Sequence, residues 1–90
     1  MKITVYYLVH KDSQQRVRYY KTLQGARIAQ RQRNRHVGFI DRIERVEQFD
    51  NWEVELYRLG DGAIVEGTYC IVESTIDTES EIFTEARDRT

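Results

Sequence analysis

Apolar and polar residues alternate in short runs separated by tight-turn signals, which constrains this chain to an antiparallel sheet more than any other feature does. From Ile3 to Val9, the residues Ile3, Val5, Tyr7 and Val9 fall on one face and Thr4, Tyr6 and Leu8 on the other. That is the period of a strand rich in β-branched and aromatic side chains. The polar stretch "HKDSQQ" leads into "RVRYYK", where Val17 and Tyr19 alternate with Arg18 and Tyr20, so residues 2–21 are expected to form a hairpin. In "VGFIDRIERVEQF", Phe39, Ile43 and Val46 also fit helical spacing, but Gly38, the β-branched residues and the turn signal "DN" favour a strand. "WEVELYRL" alternates Trp52, Val54 and Leu56 with Glu53, Glu55 and Tyr57, and "GDG" supplies the positive-φ positions of a second turn. "AIVEGTYCIVES" continues as a strand in which Gly67 marks either a bulge or a close helix contact.

One segment breaks the strand period. Thr22 suits the N-cap of a helix running through "LQGARIAQRQRN". Gly25, Ala26, Ile28 and Ala29 share one arc of that helix, while Gln24, Arg27, Arg31, Asn34 and Arg35 share another nearly opposite. The first arc is expected to pack on the sheet, with Ile28 as its anchor in one core with Ile43 and Trp52, and the second to face outward. The fold class that follows is α+β: an antiparallel sheet of about five strands in the order ββ-α-βββ, with one helix packed across it. Ninety residues fit a single domain, 1–90. Within the tail 75–90, Thr78 and Glu81 have capping-box spacing ahead of Ile82, Phe83 and Ala86, which suits a short C-terminal helix or a frayed end.

The lone Cys70 cannot close an internal disulfide, no Cys–His spacing resembles a zinc site, and no apolar run approaches the roughly 18–20 residues that span a bilayer. A cytoplasmic location and no membrane partner are expected. His10 and His36 lie far apart in sequence, with no Ser, Cys or second His at a useful spacing, and no GxGxxG or GxxxxGK[ST] loop occurs. The expectation is therefore a protein that is not an enzyme and needs no metal or cofactor. Cys70 reads as a small buried strand residue. Glu53 and Glu55 share a strand face, an arrangement open to metals or acid–base chemistry but equally explained by a half-exposed strand.

The net charge of −1 conceals two opposed blocks. Residues 13–40 carry seven Lys or Arg and no carboxylate, whereas residues 41–90 carry fourteen acids against five bases. Two readings follow. The cations either form a solvated face that pairs with acidic strands of the same or a neighbouring molecule, or Arg27, Arg31 and Arg35, with Arg18 and Lys21 nearby, meet the phosphates or carboxylates of a partner. The tyrosine pairs at 6–7 and 19–20 suit base stacking beside such arginines, or a core residue and an outer-face residue in each pair.

"GARIA" followed by "HVGFIDRIERVE", behind an N-terminal strand that begins "MK", resembles small phage-encoded anti-CRISPR proteins that act on type I surveillance complexes. The likeness covers roughly residues 1–60. It implies a compact, non-catalytic inhibitor in the host cytoplasm that occupies a nucleic-acid-facing surface of a Cas subunit, a host protein or ribonucleoprotein complex, with the arginine face as docking patch. A nucleic-acid-binding accessory protein using the same basic face, and a structural subunit assembling through its opposed charges, are the alternatives.

Overall fold

The first hairpin forms where alternation and the polar turn require it: β1 (Lys2–His10) and β2 (Arg16–Tyr20) pair antiparallel, with Tyr6 opposite Tyr20 and Tyr7 opposite Tyr19. The computed structural model describes residues 1–77. Thr22 then starts α1 (Leu23–Arg33), its hydroxyl accepting the Gly25 N–H at 3.1 Å, and a 3₁₀ turn (Asn34–Val37) leads out of the helix. β3 (Ile40–Phe49) and β4 (Trp52–Leu59) form the second hairpin around Asp50, whose φ of 57° is the left-handed conformation that Asp tolerates in a tight turn. After Gly62, at φ 93°, come β5 (Ile64–Glu66) and β6 (Tyr69–Asp77).

The described residues thus form an α+β fold, with helix α1 on an antiparallel sheet. The sheet order is β2-β1-β6-β4-β3, with β5 also on β4. The run expected as a single last strand is divided at Gly67, where the pairing with β4 slips between Leu56↔Glu66 and Glu53↔Ile71. Beyond that break β6 pairs with β4 at Ile71 and Val72 and with β1 from His10↔Tyr69 to Lys2↔Asp77, joining the two hairpins into one sheet. Thr75–Asp77 therefore belong to the sheet, and the expected C-terminal helix lies outside the described residues. Among the described residues no helix is long and apolar enough to cross a membrane.

The two faces of the sheet differ in chemistry. Val5, Tyr7, Val9, Tyr19, Val54, Cys70 and Val72 form one buried apolar cluster, against which Trp52 packs. The other face carries Leu8 and Ile71 beside Glu53, Glu55 and Tyr57, and α1 lies on this side. Its orientation corrects the expected one. The helix buries Ala26, Gln30 and Asn34, one turn apart, and leaves Ile28 50 % exposed. Ile43 is exposed too, so Ile28, Ile43 and Trp52 do not share a core. Exposed positions away from caps and networks seldom matter by more than about 0.5 kcal/mol, and Asp costs a little helix propensity. Ile28→Asp should therefore shift stability by less than about 1 kcal/mol in chemical denaturation. A loss of several kcal/mol would restore Ile28 as an anchor.

Candidate functional site

Helix α1 is joined to β4 by a ladder of ion pairs. A step of four helical residues advances about 6 Å and a step of two strand residues about 6.8 Å, so arginines at i, i+4 match glutamates at j, j+2. Arg27 grips Glu53 side-on, Nε donating to Oε2 at 2.8 Å and the terminal nitrogen to Oε1 at 2.7 Å. Arg31 donates to both oxygens of Glu55, at 3.2, 3.2 and 2.8 Å. Glu53 is only 5 % exposed and Glu55 0 %, while both arginine side chains stay partly in solvent. The hydrogen bonds to their glutamates raise the pKa of both guanidiniums, opposed in part by burial, so these charges are permanent.

The third rung of the ladder is different. In line with Glu53 and Glu55 on β4 stands Tyr57, a neutral phenol that donates to Glu55 Oε1 at 3.0 Å and accepts from Asn34 Nδ2 at 2.8 Å. Burial holds its hydroxyl well above the ordinary phenol range. Arg35, one step beyond Arg31, consequently has no carboxylate to meet and makes no ion pair among the described residues. It borders an open cleft of about 380 Å³ between the end of the helix and the outer strand, with Arg31, Phe39, Arg42, Ile43 and Tyr57 among its walls. Phe39 is 82 % exposed, although Gly60 allows the ring to lie against its backbone, where a Cβ would come within 3.0 Å of Phe39 Cδ1.

The five cations singled out from sequence do not form one face. Arg27 and Arg31, expected to point outward, turn to the sheet because buried carboxylates wait there. Of the five, Arg35 alone reaches the cleft with no ion pair among the described residues. Arg18 lies on β2, the opposite edge of the sheet from β3, with its guanidinium 5.4 Å from the Tyr20 ring centre, and Lys21 is exposed just after that strand. Arginines also cover tyrosine rings at Tyr7 (Arg16, 4.2 Å) and Tyr69 (Arg33, 5.5 Å).

Sequence reasoning missed Phe39, Arg42 and Ile43 as cleft residues; a bulky apolar residue beside Gly38 and among charges was the available signal. It also missed that folding brings both histidine rings edge-on to Tyr69, at 5.3 Å for His10 and 6.4 Å for His36. His36 is held at both nitrogens. Nδ1 lies 2.7 Å from the Arg33 carbonyl, which can only accept, so Nδ1 donates there, and Nε2 shares a hydrogen bond with the Thr68 hydroxyl at 3.0 Å. That clamp fastens the 3₁₀ turn to the start of β6. Cys70 is fully buried, and burial pushes its thiol pKa up to about 11. Among the described residues no group of three or more His, Cys, Asp or Glu side chains is placed to hold a metal ion.

Fold and site together define a class in physical terms: an α+β domain whose helix α1 is tied to its sheet by half-buried ion pairs and which leaves a cationic, aromatic cleft at one edge. No family model, curated protein or solved structure matches the chain.

Proposed function

We propose that this chain is a small non-catalytic binding protein that docks on its partner through the cleft between the end of α1 and β3. The observation that carries this reading is the third rung of the ladder, where Tyr57 stands in place of a third carboxylate and Arg35 has no ion pair among the described residues, which suits it to an anion from outside. Exposed Phe39 and Ile43 beside it suit a partner that offers an acidic group next to an apolar one. The resemblance of residues 1–60 to anti-CRISPR proteins supplies the partner class: a protein or ribonucleoprotein subunit of a host defence complex, met on a surface that normally handles nucleic acid.

The test begins with capture of the partner from a bacterial lysate and continues with calorimetry on the purified pair. Arg35→Glu and Phe39→Ala should each weaken binding at least tenfold, about 1.4 kcal/mol, without lowering the melting temperature. Lys21→Glu, on the far edge, should change it little. Equal tolerance at Arg35 and Phe39 would overturn the cleft as docking site. Binding to RNA or DNA alone with a steep salt slope would assign the cations to nucleic acid.

A further inference from the structure

The outer strand β3 is ten residues long and, among the described residues, pairs with β4 alone. Across residues 42–47 its outer edge is self-complementary. The pairing with β4 slips between Ile43 and Arg45, so Glu44 is an extra residue that bulges the strand. As a result Glu44, Arg45 and Glu47 stand on the face turned away from α1, and Arg42, which borders the cleft at the strand's edge, sends its guanidinium to Glu44 on that same face. Arg58 reaches Glu44 at 2.8 Å, Arg42 lies 3.7 Å from Glu44, and Arg45 lies 2.8 Å from Glu47. Ile43 and Val46 stand on the helix side, opposite Tyr57 and Glu55 of β4, and both are exposed. The order of faces across residues 42–47 is therefore the same read from either end.

We propose that two copies of the chain associate edge to edge through β3, antiparallel, about a two-fold axis passing between Glu44 and Arg45. In that register Arg42 of one copy lies opposite Glu47 of the other, Ile43 opposite Val46, and Glu44 opposite Arg45, each pair on a single face. Opposite charges and β-branched residues placed directly across a strand pair are both favourable, and a one-residue slip sets charge against apolar residue and, at the axis, carboxylate against carboxylate in one direction or arginine against arginine in the other. A bulge ordinarily spoils a free edge. Here the bulge at Glu44 sits on the axis, so each copy offers the same irregularity at the same place; the strand's other slip, between Ile40 and Arg42, falls outside residues 42–47, and those six stay in step. The axis stands perpendicular to the sheet, so both α1 helices lie on one side of a continuous sheet and their clefts flank the shared strands. This assembly does not depend on the docking role of Arg35.

Sedimentation equilibrium of the purified chain, with no partner present, tests it. The wild-type dimer fraction should rise with concentration and fall with added salt, which screens the paired charges. Arg42→Glu and Glu47→Arg each create two like-charged contacts per dimer and should weaken association at least tenfold. The double variant restores both contacts and should regain the wild-type constant. An equimolar mixture of the two single variants should form a heterodimer, because each supplies the charge the other lacks. Circular dichroism checks that all variants fold. A wild-type chain that stays monomeric at about 1 mM and low salt, or a dimer indifferent to both single variants, overturns the proposal.

Discussion

Replacing Arg31 with methionine is expected to lower the melting temperature by roughly 8–32 °C. The methionine keeps the apolar stem but removes the two nitrogen donors that reach Glu55 through three contacts, leaving a carboxylate with 0 % exposure and, among the described residues, Tyr57 as its side-chain donor. Removing one partner of a wholly buried ion pair costs about 3–5 kcal/mol. Because the Arg31 side chain is itself 45 % exposed, the pair is partly screened and about 2–4 kcal/mol is the better figure. A domain of this size loses about 4–8 °C per kcal/mol. The effect should be asymmetric. Glu55→Gln leaves an arginine that can swing into water, and should cost about half as much. The double variant Arg31→Met with Glu55→Gln should be more stable than Arg31→Met alone, since no buried charge remains. Thermal unfolding followed by circular dichroism reads all three; Arg31→Met melting within a few degrees of the parent would mean that solvent reaches Glu55.

The same rungs explain what could be read from the sequence and what could not. Period-two alternation and local turn chemistry are short-range properties, so both hairpins, the Thr22 cap and the turn at Asp50 were legible. The docking face of the helix was not. Hydrophobicity ranked Ile28 first, yet a helix that faces Glu53 and Glu55 is selected by charge. Leaving those carboxylates buried without cations would cost more than exposing one isoleucine. The signal was present as a match of spacings, Arg27 and Arg31 four apart and Glu53 and Glu55 two apart. It becomes meaningful only once α1 is known to run alongside β4. The insertion of β6 between β1 and β4 is a non-local pairing that no local pattern specifies, and the cleft inherits that difficulty because its walls come from the helix end and the outermost strand.

Gly67→Ala should be about as damaging, for a reason that begins at the bulge. A Cβ on Gly67 would stand 2.4 Å from Asn34 Nδ2 and 3.0 Å from both Asn34 Cγ and Tyr57 Cε2. Neither neighbour is free to move. Asn34 is buried and donates to the Tyr57 hydroxyl at 2.8 Å and the Tyr69 carbonyl at 3.1 Å, while accepting the Tyr69 N–H at 2.8 Å. Nor can the backbone retreat cheaply, because the Gly67 N–H is bound to the Glu55 carbonyl at 3.0 Å. Overpacking of this kind costs about 1–3 kcal/mol, and each hydrogen bond broken in making room adds about 1 kcal/mol, giving about 3–4 kcal/mol in all. Asn34→Ala removes the obstructing amide and should cost about 2–3 kcal/mol on its own, chiefly through the stranded Tyr69 N–H. In the double variant the new methyl occupies the space the amide left. Gly67→Ala should then add less than about 1 kcal/mol to Asn34→Ala, a coupling of 2 kcal/mol or more in a double-mutant cycle measured by urea unfolding. Simple additivity would place the strain in the bulged backbone itself, and the contact between the helix end and the strand break would lose its role in choosing glycine at position 67.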